Sequence, residues 1–383
     1  MIKSTEPEEI LIVDDIPANL KLLSQILRDH GYKVRVAVNG SQAIESTHLA
    51  MPNLILLDVK MPDIDGFEVC RQLKANPRTE KVPVIFISAL DDLKDKLDGF
   101  HAGGVDYISK PFQIEEVLAR VESHLFIRRA HQLLEMTNKR MQRELNLAGH
   151  LQMNFIPQKF PQLPNWEFSA ALQPAMETSG DFYDLFQLAD GRLAIIIADV
   201  VDKGVAAALL MVLAWSLLRE RILSFPDQPE RIFSEVNHQI LSILKDLEYV
   251  TTFLGILEPQ SGKLTYANAG HNPPLLFQMQ ENKIVQLVRT GIPLGLSEET
   301  QWMQETVTLN VDDVLLLYTD GVTEACNPSG EYAGVDRLIK CVQPKINHSA
   351  DDIKTQIKNE LLTFLSNQPP QDDLTLMVLK RTG

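Results

Sequence analysis

The chain reads as a doubly wound α/β domain with a parallel sheet, then a long helix, then an α+β domain with antiparallel sheets. Three observations predict this. From residue 9 to about 125, short apolar runs (ILIV, YKVRVAV, NLILLDV, VPVIFISAL, DYISKPF) alternate with amphipathic stretches at 18–28 and 41–48. That is the pattern of βαβ units whose strands are buried on both faces. From 114 to 155 there is no proline and no glycine before Gly149, and strong helix formers dominate. Beyond Trp166, strand-like runs joined by hairpin-like links are interrupted by helical stretches at 205–223, 229–244 and 351–366.

With 383 residues, 45% hydrophobic and 23% charged, the chain is long enough for two or three domains. A mean hydropathy of −0.07 argues against wholesale disorder and against a membrane-embedded body. The 36 Lys and Arg against 51 Asp and Glu leave a net charge of −15, which disfavours an extended nucleic-acid footprint. The longest membrane-like stretch, 205–218, is shorter than the ~20 apolar residues a span needs, and MIKSTEPEEI carries no apolar leader. A cytoplasmic protein without membrane attachment is expected. Cys70, Cys326 and Cys341 stand apart with no His at metal spacing, so neither disulfides nor zinc are expected.

In the first domain, Asp14 and Asp15 end the first strand run and Asp58 ends the third, where the ligands of doubly wound sheets bind. Three carboxylates there can hold Mg²⁺, which takes oxygen ligands and keeps several waters. Lys110, before Pro111, and Ser88 end later runs, where an ammonium and a hydroxyl can pair with a carboxylate or phosphoryl oxygen. Each alone is also an ordinary turn or cap residue, but five at matching strand ends are hard to dismiss. On IVDD, LLDVKMPDIDG, IFISAL and DYISKPF, residues 8–125 resemble the response-regulator receiver domain. The resemblance implies a phosphoaccepting Asp58, Mg²⁺ held by Asp14, Asp15 and Asp58, Ser88 and Lys110 sensing the phosphoryl group, and Tyr107 as a rotameric switch. It also implies a sensor histidine kinase as partner and a cis Lys110–Pro111 bond.

Residues 126–163 form the expected helical linker. Met141, Leu145, Ala148, Gln152 and Phe155 follow steps of four and three, while His124, His131 and Asn138 take polar positions of the same register. A solvated amphipathic connector and a two-stranded coiled coil between two copies both fit this pattern. Its basic side chains, Arg128, Arg129, Lys139, Arg140 and Arg143, read as a solvated face. Pro157, Pro161 and Pro164 end the helix.

In residues 164–383, acids stand at strand or turn ends: Asp181 in SGDFYD, Asp199 in IIIADVVDKG, Asp320 in YTDGVTEA, and Asp372 and Asp373 in QDDLTLMVL. Many Asp without clustered His or Cys select Mg²⁺ or Mn²⁺ over zinc. Two such ions about 3.5–4 Å apart clamp a phosphate for in-line attack with no phosphoenzyme. Any single one of these motifs is equally an ordinary Asp turn. On GDFYD, ADVVDKGVAAALLM, TTFLGILEP, YANAGHNPPLL, GIPLG, YTDGVTEA and DDLTLMVLK, in that order, the segment resembles the SpoIIE-like branch of the PPM metal-dependent serine/threonine phosphatases.

That resemblance implies that Asp199 bridges two Mn²⁺ or Mg²⁺ ions, Asp181 and Asp320 add ligands, and the Val200 carbonyl serves as a backbone ligand. Asp372 completes the set, with Asp373 as the alternative. Helix 204–218 corresponds to the family's regulatory switch helix; by its residues it is an Ala- and Leu-rich core helix. One departure is Val201-Asp202-Lys203-Gly204, where many relatives carry Ser-Gly before His or Lys. His271 in YANAGHNPPLL is read as structural, with a catalytic imidazole as the alternative, because metal-assisted attack needs no mandatory imidazole.

The expected protein is a response regulator whose output is a phosphoserine/phosphothreonine phosphatase controlled by Asp58. By resemblance its substrate is a phosphorylated STAS-domain antagonist of an anti-sigma factor. The rival is a non-catalytic adaptor on a phosphatase fold, which decay of the acidic set would favour; every carboxylate is present. A DNA-binding response regulator fails on charge and on the absence of a helix-turn-helix pattern.

Overall fold

The computed structural model describes residues 7–89, 93–244 and 248–383. Leu90 of IFISAL and residues 1–6, where no leader is expected, lie outside the described residues. The chain divides into two compact units, Met1–Arg140 and Met141–Gly383.

The first unit runs β1 (Glu9–Val13), α1 (Pro17–Asp29), β2 (Lys33–Ala37), α2 (Gly40–Leu49), β3 (Leu54–Asp58), α3 (Gly66–Ala75), β4 (Val84–Ser88), α4 (Leu93–His101) and β5 (Asp106–Ser109), then enters α5 (Ile114–Gln152). The strands form one parallel sheet in the order β2-β1-β3-β4-β5. Successive side chains of a strand point to opposite faces. Leu11, Val13, Ile55, Leu57 and Phe86 therefore pack with Val69, Cys70 and Leu73 of α3. Ile10, Ile12, Leu54, Leu56 and Ile85 pack on the other face with Leu20, Leu23 and Leu27 of α1 and Val117, Val121 and Leu125 of α5. Burial of both faces explains the near-continuous apolar runs.

α5 is one unbroken helix, as its composition predicts, and continues into a 3-10 turn over Met153–Phe155. Beyond Leu125 its apolar side chains lose cover: Phe126, Ile127, Leu133, Leu134, Met141, Leu147 and Leu151 are exposed.

The second unit continues with β6 (Trp166–Gln173), β7 (Phe182–Gln187), β8 (Leu193–Val200), α6 (Val205–Ser224), α7 (Pro229–Ile243), β9 (Val250–Leu257), β10 (Lys263–Ala269), β11 (Leu275–Gln278), β12 (Lys283–Gln286), β13 (Glu305–Thr308), β14 (Val314–Tyr318), α8 (Asp320–Thr323), α9 (Gly334–Val342), α10 (Ala350–Phe364) and β15 (Leu374–Arg381). Two antiparallel five-stranded sheets result, ordered β13-β10-β9-β8-β7 and β12-β11-β14-β15-β6.

One core cluster runs from Met211 and Leu218 of α6 and Phe233 of α7 through Ile195 and Ile197 of β8 to Leu315, Leu317, Met377 and Leu379 of the other sheet. A second joins the opposite face of that sheet, Leu316, Leu376 and Val378, to Leu338 of α9 and Ile353 and Ile357 of α10. The unit is thus a helix–sheet–sheet–helix sandwich. α6 matches the Ala- and Leu-rich reading: Ala207, Leu210, Met211, Ala214 and Leu218 are buried.

β12 and β13, which the sequence reading lacks, are four-residue edge strands without a fully buried side chain. Among the described residues, no helix is long and apolar enough to cross a membrane.

Candidate functional site

In the first unit, the carboxyl ends of β1 and β3 bring Asp14, Asp15 and Asp58 together, one oxygen of each lying within 4.8 Å of the others. Asp14 is fully buried and accepts hydrogen bonds from the Ile16 N–H at 2.8 Å and from the Asn19 amide at 2.9 Å. Lys110, after β5, places its Nζ 2.9 Å from both Asp14 and Asp58. Burial pushes the Asp58 carboxyl up, Lys110 pulls it down, and repulsion from Asp14 and Asp15 leaves it raised. For Lys110, burial works against the charge, but the bonds to Asp14 and Asp58 outweigh it and the ammonium is stabilised.

Ser88 is buried at the end of β4, its carbonyl accepting the Lys110 N–H at 3.0 Å. Tyr107 packs between Phe86 and Phe100, with ring centroids 5.3 and 5.5 Å away. The Lys110–Pro111 bond is cis. Asn19 was missed by sequence reasoning; it sits five residues beyond Asp14, on the first turn of α1.

In the second unit, antiparallel pairing carries the acids to one end of the sandwich. β7 pairs with β8 from Phe182↔Ala198, so continuing the register sets Asp181 beside Asp199. β14 pairs with β15 up to Tyr318↔Leu376, so Asp320 leaves the end of one strand where Asp372 and Asp373 enter the next. The Thr319 hydroxyl closes the gap between the sheets, donating to Asp181 Oδ2 at 2.7 Å. A Cβ on Gly321 would lie 2.0 Å from the Asp373 carbonyl oxygen, so only glycine lets the turn after Asp320 lie against the Asp372–Asp373 segment.

Burial raises the Asp181 carboxyl strongly and Asp199 adds to it; burial and then Asp320 raise Asp199; burial and then Asp372 raise Asp320. Crowded, desolvated carboxylates disfavour their own charge, and a hard divalent cation relieves that repulsion with oxygen ligands alone. The donor set therefore fits such ions. Its spacing differs from that of the first unit: among the described residues, only Asp14, Asp15 and Asp58 form a group of three with oxygens mutually within 4.8 Å. A pair of cations tolerates the wider layout, because each ion needs only its own subset of ligands.

The two neighbouring acids differ. Asp373 is consumed by its loop, accepting from the Ala175 N–H at 2.7 Å, the Ser179 hydroxyl at 2.7 Å and the Gly180 N–H at 2.8 Å. Asp372 is half-exposed, repels Asp320 and Asp199, and pairs with Lys203 Nζ at 3.0 Å. Lys203 also donates to the Gln371 carbonyl at 2.6 Å. In the departing turn, Asp202 takes a φ of 75° and its carboxylate accepts the Lys203 N–H. Val200 is buried at the end of β8, and a Cβ on Gly180 would come within 3.1 Å of its carbonyl oxygen.

His271 is fully buried, its Nδ1 2.9 Å from the Thr251 hydroxyl, and burial pushes the imidazole down to about 3. It is neutral at pH 7. Thr319 and Ser179 were not singled out from sequence, and Lys203 was named only within the departing turn; Thr319 directly precedes Asp320 and Ser179 stands two before Asp181. An open cavity of 630 Å³ has none of these acids in its lining; it lies between Phe155, Phe160 and Trp215, with Asp184 bound to Arg219 and to the Trp215 indole at its wall.

Comparison with known proteins bears on the family and the fold of both units. Residues 10–122 match the response regulator receiver domain model, and residues 189–382 match the model of stage II sporulation protein E, SpoIIE. Protein IcfG of Synechocystis sp. is 31% identical over 266 residues, 62% of this chain and 41% of its own. The chain thus spans less than half the length of that relative. The phosphoserine phosphatase RsbU of Bacillus subtilis is 29% identical over 254 residues, 66% of this chain and 74% of RsbU. The SiaA-PP2C domain of Pseudomonas aeruginosa superposes with a TM-score of 0.57 at 20% identity, covering 64% of this chain and 98% of that domain, which shows the PP2C fold. With one model covering half of its residues and the other its front, the chain belongs to the SpoIIE family and carries a response-regulator receiver domain ahead of the SpoIIE domain.

Proposed function

We propose that the protein is a response regulator whose second unit is a metal-dependent protein phosphatase acting on phosphoserine or phosphothreonine. The observation that carries this reading is the convergence of Asp181, Asp199, Asp320 and Asp372 at one end of a PP2C sandwich, bridged between sheets by Thr319. In this reading residues 8–125 are the receiver, 126–163 the linker and 164–383 the phosphatase. Asp199, shared between them, and Asp181, Asp320, Asp372 and the Val200 carbonyl would hold two Mn²⁺ or Mg²⁺ ions; Asp373, with its oxygens taken by three donors, is the loop's anchor. The ions supply a water made nucleophilic near neutral pH and neutralise charge on the phosphate. The protein holds its carboxylates in register, fixes Asp181 from Thr319, and keeps Asp199 largely out of bulk water.

In the receiver, Asp58 takes a phosphoryl group from a sensor histidine kinase, with Mg²⁺ held by Asp14, Asp15 and Asp58. The new negative charge draws Lys110 and Ser88 toward it, and Tyr107 adjusts in its aromatic slot. α5 carries the change toward the acids, and phosphorylation raises activity. The spacing of exposed Ile127, Leu134 and Met141 by seven residues supports pairing of two copies along α5. The substrate in this reading is a phosphorylated STAS-domain protein in the cytoplasm.

The test is phosphate release from a phosphoserine protein with Mn²⁺. Asp199→Ala and Asp320→Asn should each lose at least about a hundredfold, the scale of removing a positioned electrostatic group. Equal rates in all three proteins would leave the adaptor as the better reading.

A further inference from the structure

The loop that presents Asp181 is held from two sides. From the sheet side, Asp373 accepts from Ala175, Ser179 and Gly180. From the other side comes the last turn of α5. Gln152 is buried, its Oε1 accepts the Ser179 N–H at 2.9 Å, and its Nε2 donates to the Ser179 carbonyl at 2.5 Å. One side-chain amide thus satisfies both main-chain groups of a single residue, as a neighbouring strand would. The Ser179 hydroxyl then donates to Asp373 and accepts the Asp181 N–H at 3.1 Å. One turn earlier a Cβ on Gly149 would sit 1.9 Å from the Glu177 carbonyl oxygen, so the helix rests directly on the loop. The Gln142 amide also donates to Glu177.

We propose that Gln152 is a positioning residue for the acidic site: through its amide, the end of α5 sets the loop that holds Asp181 beside Asp199. This rests on the reading of Asp181 as a metal ligand. Three features support a role beyond packing. A glutamine at a position that heptad spacing assigns to an apolar side chain is buried and fully paired, where Leu or Met would fill the space at lower desolvation cost. Its partners are main-chain atoms two residues from the ligand, so their displacement moves the Asp181 backbone itself. Finally, the linkage passes through Ser179 to both Asp181 and Asp373, which come from different sheets. The acids are thereby tied to the last turn of α5.

The experiment is calorimetric titration of Mn²⁺ into the full chain carrying Asp15→Asn, which removes one carboxylate from the receiver triad. Gln152→Ala is compared with Phe155→Ala, which loosens the same helix end at its contact with Trp215 but leaves the Ser179 bonds in place. Both should lower the melting temperature. Only Gln152→Ala should weaken Mn²⁺ binding, by about tenfold, the lower end for outer partners of metal ligands. Ser179→Ala, which keeps the main-chain pair and cuts the hydroxyl link, should weaken it as well, and it decides the matter if Gln152→Ala does not fold. Unchanged Mn²⁺ affinity in the folded variants, or an equal loss in Phe155→Ala, overturns the proposal while the metal site stands. Absence of Mn²⁺ binding in the parent chain overturns both.

Discussion

The two acidic sites of this chain solve the same electrostatic problem differently. In the first unit, three carboxylates come from two adjacent strand ends of one parallel sheet, and a half-buried lysine already lies 2.9 Å from two of them. In the second, the acids come from two sheets, reach their places through hairpin register and a threonine bridge, and have the half-exposed Lys203, paired with Asp372, as counter-charge. The first arrangement suits one ion and a transferable phosphoryl group. The second leaves more uncompensated charge in a wider space and suits two ions. A compact, partly neutralised site can change state cheaply, whereas a spread and repulsive one depends on its scaffold.

The largest test of that contrast is at the acceptor. Asp58→Asn should abolish acid-labile phosphorylation by a small-molecule phosphodonor, while Mn²⁺-dependent phosphatase activity without the donor persists. Loss of both activities together would mean that the sites are not separable.

Next comes scaffold dependence. Gly321→Val forces a side chain against the Asp373 carbonyl and should cost about 1–3 kcal/mol in denaturant unfolding. It should also weaken Mn²⁺ binding, because the Asp320 turn and the Asp372–Asp373 segment are pressed apart.

The neighbouring acids sharpen the comparison further. Asp373→Asn replaces an acceptor of three hydrogen bonds and should destabilise by about 1–3 kcal/mol. Asp372→Asn should leave unfolding nearly unchanged and weaken Mn²⁺ binding in titration calorimetry. The reverse pattern would exchange their roles.

The smallest expected effect is at Lys203. Exposed ion pairs are worth about 0.2–1 kcal/mol, so Lys203→Gln should free Asp372 and tighten Mn²⁺ binding by no more than about fivefold. Most of that gain should vanish in an Asp372→Asn background, where only the weaker attraction of Lys203 for Asp320 is left to remove.

Much of this architecture was legible beforehand for identifiable reasons. Strands buried on both faces leave apolar runs such as LILL and VIFI, and a helix without Pro or Gly over 114–148 has no internal stop. β12 and β13 were not legible, because edge strands with exposed, polar faces lack the alternation that marks a half-buried strand. The linker register was read as fitting either a solvated connector or a coiled coil, yet Gln152 and Phe155 turn to Ser179 and Trp215 of the second unit while Met141 stays exposed. Heptad spacing says which residues share a face, not what that face meets.

By itself the sequence determined the order of the buried strands and longest helices and which acids end a strand or turn, because local pattern and turn chemistry depend on neighbours in the chain. Only the tertiary structure decided that Asp373 is taken up by Ala175, Ser179 and Gly180 while Asp372 pairs with Lys203, and that Gln152 grips Ser179. Those outcomes depend on hydrogen bonds between residues 27 to 198 positions apart, and no local pattern encodes partners at such separations.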